Sequence, residues 1–123
     1  MAGFIKVDVE KLETKQINTL VNAIVFEEFQ KKCKERNVQM CTILETFIRQ
    51  YANNRYKLDR ENIHKWKKNF GKTATLSTPV NKEIYVKFKE KVKANGYFVK
   101  YILMAFIEDY ANKEYVLEFR LDN

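Results

Sequence analysis

The sequence has little of what many specialised small proteins depend on. Its 123 residues include one proline, three glycines, two cysteines and one histidine. So few prolines and glycines argue against a disordered chain or a turn-rich all-β fold. The thiols of Cys33 and Cys41 are too few for a disulfide framework. Because a zinc site takes about four nitrogen or sulfur ligands, we expect no metal and no other cofactor.

Long apolar runs are missing as well. No stretch of about 18 apolar residues occurs, so we expect no membrane-spanning helix. Acidic residues stand in the N-terminal region where a signal peptide needs an apolar stretch, which predicts a cytoplasmic protein. The sequence also shows no nucleophile–base arrangement and no phosphate-cradling glycine loop, so we expect no enzymatic activity.

Positive charge and apolar residues are plentiful. The formal net charge is +7, and apolar residues make up 46% of the chain, enough for a buried core. The basic excess lies in residues 15–58, with eight basic and four acidic side chains, and in residues 59–74, with five and two. A basic balance of this kind suits a polyanionic partner.

An internal repeat accounts for most of the chain. A shift of 59 positions aligns residues 15–58 with residues 74–117 without a gap, and 15 of the 44 aligned positions are identical. The endings match best, FIRQYANNRYKL at 47–58 with FIEDYANKEYVL at 106–117. We refer to the two units as copy 1 and copy 2. Each is too small to close a core of its own, which indicates a duplicated unit rather than a solenoid.

Each copy has the same order of elements. Alternating residues predict a strand at 16–21 and at 75–80, and an asparagine follows each as a helix N-cap. A first amphipathic helix then ends at an Asn- or Gly-containing turn, and a strongly apolar second helix follows. The inward strand positions are Ile17, Thr19, Val21, Leu76, Thr78 and Val80.

This order of elements resembles the ribbon-helix-helix family of DNA-binding proteins, the MetJ, Arc and CopG type. The resemblance covers both copies in full. It implies a mainly α fold with a short antiparallel β-ribbon, in which the two copies form one intrachain pseudo-dimer, similar to tandem accessory proteins of plasmid conjugation. It also implies that the ribbon enters the major groove of double-stranded DNA.

The resemblance assigns base contacts to the outward strand residues, which are Gln16, Asn18, Leu20, Thr75 and Ser77. Amide and hydroxyl groups can bond base edges, and a leucine can touch a thymine methyl group. The open alternative is that these residues form only a solvated sheet face. Pro79 is the sixth outward residue. Because it has no N–H to donate, we expect the last strand position to be unpaired.

Phosphate contacts are expected at the starts of the second helices and at flanking lysines. The assigned residues are Met40 and Cys41 through their backbone, and Lys15, Lys65, Lys68, Lys72 and Lys100 through their side chains. The family usually has Ser or Thr as the cap of this helix. This chain has Gln39 in copy 1 and Phe98 in copy 2, so we expect the two halves to bind unequally.

The segments outside the copies are expected to have separate roles. Residues 59–73 form a basic linker, and the spacing of Ile63, Trp66 and Phe70 predicts a short helix that ends near Gly71. Its lysines either reach a phosphate or only solvate a helix whose Trp66 packs on the core. The N-terminal extension, 1–14, contains alternating apolar residues, and a second alternating run at 115–121 continues into the C-terminal extension, 118–123. Both runs predict terminal strands that pair with each other or with a partner protein.

Two functions from different classes fit this sequence. The first is sequence-specific DNA binding as a transcriptional regulator or as a plasmid or mobile-element accessory protein in a relaxosome, partition or copy control, with self-association on repeated sites. The second is a protein-binding adaptor or inhibitor on the same scaffold that has lost DNA binding, which Pro79 and Phe98 favour.

Overall fold

The computed structural model describes residues 13–112, so the predicted terminal strands lie outside the described residues. Within this range the chain is mainly helical with one two-stranded antiparallel sheet. The elements in chain order are β1 (Thr14–Asn22), α1 (Ala23–Glu35), α2 (Met40–Ala52), α3 (Arg60–Lys68), β2 (Thr73–Asn81), α4 (Lys82–Ala94) and α5 (Val99–Asn112). None of these helices is long and apolar enough to cross a membrane.

Both strands are longer than expected. Each has nine residues, and the antiparallel pairing extends from Thr14 opposite Asn81 to Asn22 opposite Thr73. Pro79 is paired with Gln16 in this register, so the expectation of an unpaired position was wrong. Both strands of a two-stranded ribbon are edge strands, and an edge strand accommodates a proline where its nitrogen points to solvent.

Burial alternates along both strands as predicted. The inward side chains are buried except that of Thr19, which is half-buried. Asn22 caps α1 by accepting hydrogen bonds from the N–H groups of Ile24 and Val25, each at 3.0 Å. Asn81 caps α4 by accepting from the Ile84 N–H at 3.0 Å. The predicted capping by both asparagines is therefore confirmed.

The predicted breaks between the first and second helices are also confirmed. Helix α1 ends at Glu35, and Asn37 has a φ of 57°. Helix α4 ends at Ala94, and Gly96 has a φ of 84°. This left-handed backbone is the conformation that Asn and Gly adopt at low cost, and it ends each helix in one turn.

The core forms between the two copies. Helix α1 packs against α5, and α4 packs against α2. The ring centroids of Phe29 and Phe106 lie 6.3 Å apart, and those of the equivalent pair Phe88 and Phe47 lie 6.0 Å apart. Between these pairs, Phe47 stacks on Phe106 with centroids 4.1 Å apart and ring planes inclined by 12°. The first helix of each copy is thus covered by the second helix of the other.

The linker helix α3 belongs to this core. It packs along α5, and the side chains of Ile63 and Trp66 are buried. The Trp66 Nε1–H donates to Glu108 Oε1 at 3.0 Å, so the indole is held at both its apolar and its polar end. The helix ends at Lys68 rather than near Gly71, because Asn69 is already extended, with a φ of −146°.

We predict that Phe47→Ala lowers the free energy of unfolding by about 3–5 kcal/mol, because it removes a fully buried ring from the centre of the core. Urea denaturation followed by circular dichroism measures this loss. Phe98→Ala is the matched control, since the Phe98 side chain is 66% exposed, and we expect a change within about 0.5 kcal/mol. Equal losses for the two variants would contradict the central role of the Phe47–Phe106 stack.

Candidate nucleic-acid interface

The outward face of the ribbon is uncharged and mostly polar. The five residues predicted to contact bases all lie on it with exposed side chains, beside Pro79. They are arranged in three directly opposed cross-strand pairs, Gln16 with Pro79, Asn18 with Ser77, and Leu20 with Thr75. The sequence-based assignment therefore selected residues that share one continuous surface.

The centre of this face is a pair of equivalent positions. Asn18 and Ser77 are 59 residues apart, which is the repeat offset, and they stand directly opposite each other. Ser77 Oγ donates a hydrogen bond to Asn18 Oδ1 at 2.6 Å. This bond leaves both Asn18 Nδ2 hydrogens free to donate outward and orients the amide before any ligand arrives.

Matched backbone bonds close both ends of the ribbon. The Ala23 N–H donates to the Lys72 carbonyl at 2.8 Å, and the equivalent Lys82 N–H donates to the Glu13 carbonyl at 3.0 Å. At the first of these ends, Asn22 Nδ2 also donates to the Phe70 carbonyl at 2.9 Å. These bonds fix the direction in which each strand passes into its helix.

Helix α2 begins with free backbone donors. Gln39 precedes α2 without a side-chain cap, so the first N–H groups of this helix, those of Met40 and Cys41, are available to an anion. The equivalent position before α5 is Phe98, whose apolar side chain is 66% exposed. The two helix starts therefore differ in chemistry.

The structure divides the five predicted phosphate-binding lysines into two groups. Lys15, Lys68 and Lys72 have exposed side chains, and Lys15 and Lys72 lie at opposite ends of the ribbon. The other two each have a partner within the protein, and of these Lys65 is also exposed. Lys65 Nζ lies 2.5 Å from Glu108 Oε2, and Lys100 Nζ lies 4.6 Å from the centroid of the Phe70 ring.

Two further outward residues were not predicted. Thr14 and Thr73 extend the exposed face to the ends of the ribbon, and each carries a hydroxyl that can donate or accept. The sequence could have indicated them, because extending the repeat alignment by one position aligns Thr14 with the identical Thr73. Both are β-branched, which favours a strand.

No protein-family model, curated protein or solved structure matches this chain. Within residues 13–112, no group of three histidine, cysteine or acidic side chains is placed to hold a metal ion. The geometry of the ribbon and of the helix starts is therefore the basis for assigning a function.

We predict that Gly71→Ala destabilises the ribbon end more than Gly96→Ala does. Both glycines have positive φ, so each substitution costs about 1–2 kcal/mol in backbone strain. A Cβ at Gly71 would also lie 2.7 Å from Asn22 Nδ2, whereas a Cβ at Gly96 meets nothing within 4 Å. Moving the Asn22 amide weakens the α1 cap, which adds about 1 kcal/mol. Thermal denaturation of both variants measures the difference, and a smaller loss at Gly71 would refute this account.

Proposed function

We propose that this chain is a sequence-specific double-stranded DNA-binding protein that inserts the β1–β2 ribbon into the major groove. The observation that supports this most is the opposed Asn18–Ser77 pair at the centre of an exposed ribbon face that is uncharged and mostly polar. Such a face has amide and hydroxyl groups for base edges. The proposal includes no catalytic step, and it assigns phosphate binding to the flanks of the ribbon.

We further propose that the two copies form a tandem ribbon-helix-helix pseudo-dimer within one chain. Corresponding strands and helices begin 59 positions apart. The register places Asn18 opposite its own equivalent, and the Phe47–Phe106 stack also joins equivalent residues. An approximate twofold axis through both pairs accounts for these contacts, and it would place the start of α2 and the start of α5 on related sides of the ribbon.

Dimensions and charge support insertion in the major groove. Two strands about 4.8 Å apart fit a groove about 12 Å wide. The neutral face can approach base edges without burying an unpaired charge, while Lys15 and Lys72 extend from the two ribbon ends towards phosphates. The net charge of +7 favours association with the DNA polyanion.

The two strands present different side chains, so the proposed target is not a palindrome. The outward triplet of β1 is Gln16, Asn18 and Leu20, and that of β2 is Thr75, Ser77 and Pro79. Several molecules of this protein can then bind side by side on direct repeats of an asymmetric site. A transcriptional regulator and a relaxosome, partition or copy-control accessory protein of a plasmid both use binding of this kind, and these are the roles that we propose.

The ribbon is tested with the double variant Asn18→Ala plus Ser77→Ala. A preferred site is first selected from random duplexes with the wild-type chain, and affinity is then measured against salt concentration. The wild type should show a steep salt dependence. The variant should lose about 10–100-fold in preference for that site over random DNA, because base contacts are worth about 1–3 kcal/mol each, and it should keep weak non-specific binding.

A matched control removes the same kinds of group from residues outside the ribbon. The double variant Thr46→Ala plus Asn53→Ala alters α2 and its end, and it should keep the wild-type site preference. An unchanged preference in the ribbon variant would sink the proposal. So would the absence of binding to any duplex, with a protein ligand recovered instead, which would favour an adaptor that has lost DNA binding.

The helix start of copy 1 is tested by alkylation of its cysteine. In the free chain iodoacetamide should modify Cys41, whose side chain is half-buried, and should spare Cys33, which is 3% exposed. Burial also raises the pKa of the Cys33 thiol to about 11, which suppresses the reactive thiolate. Saturating DNA should slow Cys41 modification about tenfold by blocking access. If the rate stays unchanged, the start of α2 does not contact the backbone of DNA.

A further inference from the structure

Each copy has a groove between its first helix and the start of its second helix. The groove of copy 1 has a volume of about 560 Å³ and is bordered by Glu27, Gln30 and Lys34. The groove of copy 2 has a volume of about 530 Å³ and is bordered by the equivalent Val86, Lys89 and Lys93. The scaffold therefore repeats the cavity, and the chemistry of its lining differs.

The groove of copy 2, hereafter the Val86–Phe98 groove, has an exposed apolar lining. Val86 is 42% and Phe98 is 66% exposed, and they replace Glu27 and Gln39 of copy 1. Val99 and Tyr97 extend the same lining. Two large apolar side chains that remain in water on one concave surface are typical of a protein-binding site.

The charge beside this groove is also specific to copy 2. Helix α4 carries five lysines and two glutamates, whereas the equivalent α1 carries three of each. Lys89 and Lys93 both border the groove, and Glu90 is its one acidic lining residue. An occupant that combines an apolar side chain with carboxylates would therefore be complementary to this surface.

DNA and a second molecule of this protein fit the Val86–Phe98 groove less well than an acidic segment does. A phosphate gains nothing from the apolar side chain of Phe98. A second molecule of this protein carries the same net charge of +7, and the repulsion between the two molecules opposes its approach. Apolar lining and lysine border together favour an acidic protein segment.

We propose that the Val86–Phe98 groove binds an acidic segment of a partner protein. An aliphatic or aromatic side chain of that segment inserts between Val86 and Phe98, and its carboxylates pair with Lys89 and Lys93. This surface is separate from the outward face of the ribbon, so the proposal stands whether or not the ribbon binds DNA. It gives copy 2 a role in recruiting protein beside the role proposed for the ribbon.

The test uses the full chain as bait for a phage-displayed library of random 16-residue peptides. Enriched peptides should combine aspartate or glutamate with leucine or an aromatic residue. Synthetic versions are then measured by fluorescence anisotropy against Val86→Glu plus Phe98→Gln, which installs the residues of copy 1. Affinity should fall at least about thirtyfold, as expected for the loss of a hot spot. Gln30→Ala plus Gln39→Ala, at the positions of copy 1 that are equivalent to Lys89 and Phe98, is the matched control and should bind like wild type.

A second variant keeps the test decisive if the first fails to fold. Lys89→Glu plus Lys93→Glu changes exposed side chains only and should also abolish binding of the acidic peptides. Three outcomes would overturn the proposal. The first is that no peptide with both acidic and apolar residues is enriched, and the second is that the enriched peptides bind these variants as well as they bind the wild type. The third is that the groove variants instead lose affinity for DNA or lose concentration-dependent self-association. Since the ribbon variant Asn18→Ala plus Ser77→Ala should still bind the peptides, the two proposals fail separately.

Discussion

The apolar stripe of each first helix is buried by the second helix of the other copy, and this exchange supports the rest of the fold. Phe29 meets Phe106, and Phe88 meets Phe47. A single copy would leave such rings in water, and a lone pair of strands is only marginally stable. The ribbon forms because the helix exchange brings β1 beside β2, and the stacked Phe47 and Phe106 rings fix where the two halves meet. The exposed face of the ribbon depends on a core whose aromatic residues come from both copies.

Helix α3 makes the two halves unequal in packing. It covers α5, where Met104 and Ala105 are fully buried, whereas the equivalent residues of α2 are Glu45 and Thr46, with half-buried side chains. Glu45 forms a surface ion pair with Arg49, but the residue equivalent to Arg49 is Glu108, which bonds α3. Because α3 covers α5, α5 has apolar residues at positions where the exposed face of α2 has polar ones. Copy 2 is consequently the more deeply packed half, while its first helix carries the more basic surface.

The features that the sequence predicted correctly are those set by neighbouring residues. Each of these local patterns occurs in both copies of the repeat. A few adjacent residues determine the strand alternation, the asparagine caps and the helix breaks. These features could therefore be predicted from the sequence alone. The features that were missed depend on distant partners. The ion pair of Lys65, for example, is with Glu108, which lies 43 residues away. The pairing of Pro79 depends on its position in the β1 register.

The central ribbon pair shows what one chain permits that a homodimer does not. In a homodimer, a residue on the twofold axis faces an identical residue, so every change appears twice. Here Asn18 faces Ser77, and the hydroxyl of one orients the amide of the other. The same freedom lets Phe98 stand at one helix start and Gln39 at the other. Covalent connection also keeps the halves together at high effective concentration, so their surfaces can diverge without loss of the exchanged core. A symmetric pair of chains could not give the groove of one half a different lining from the groove of the other.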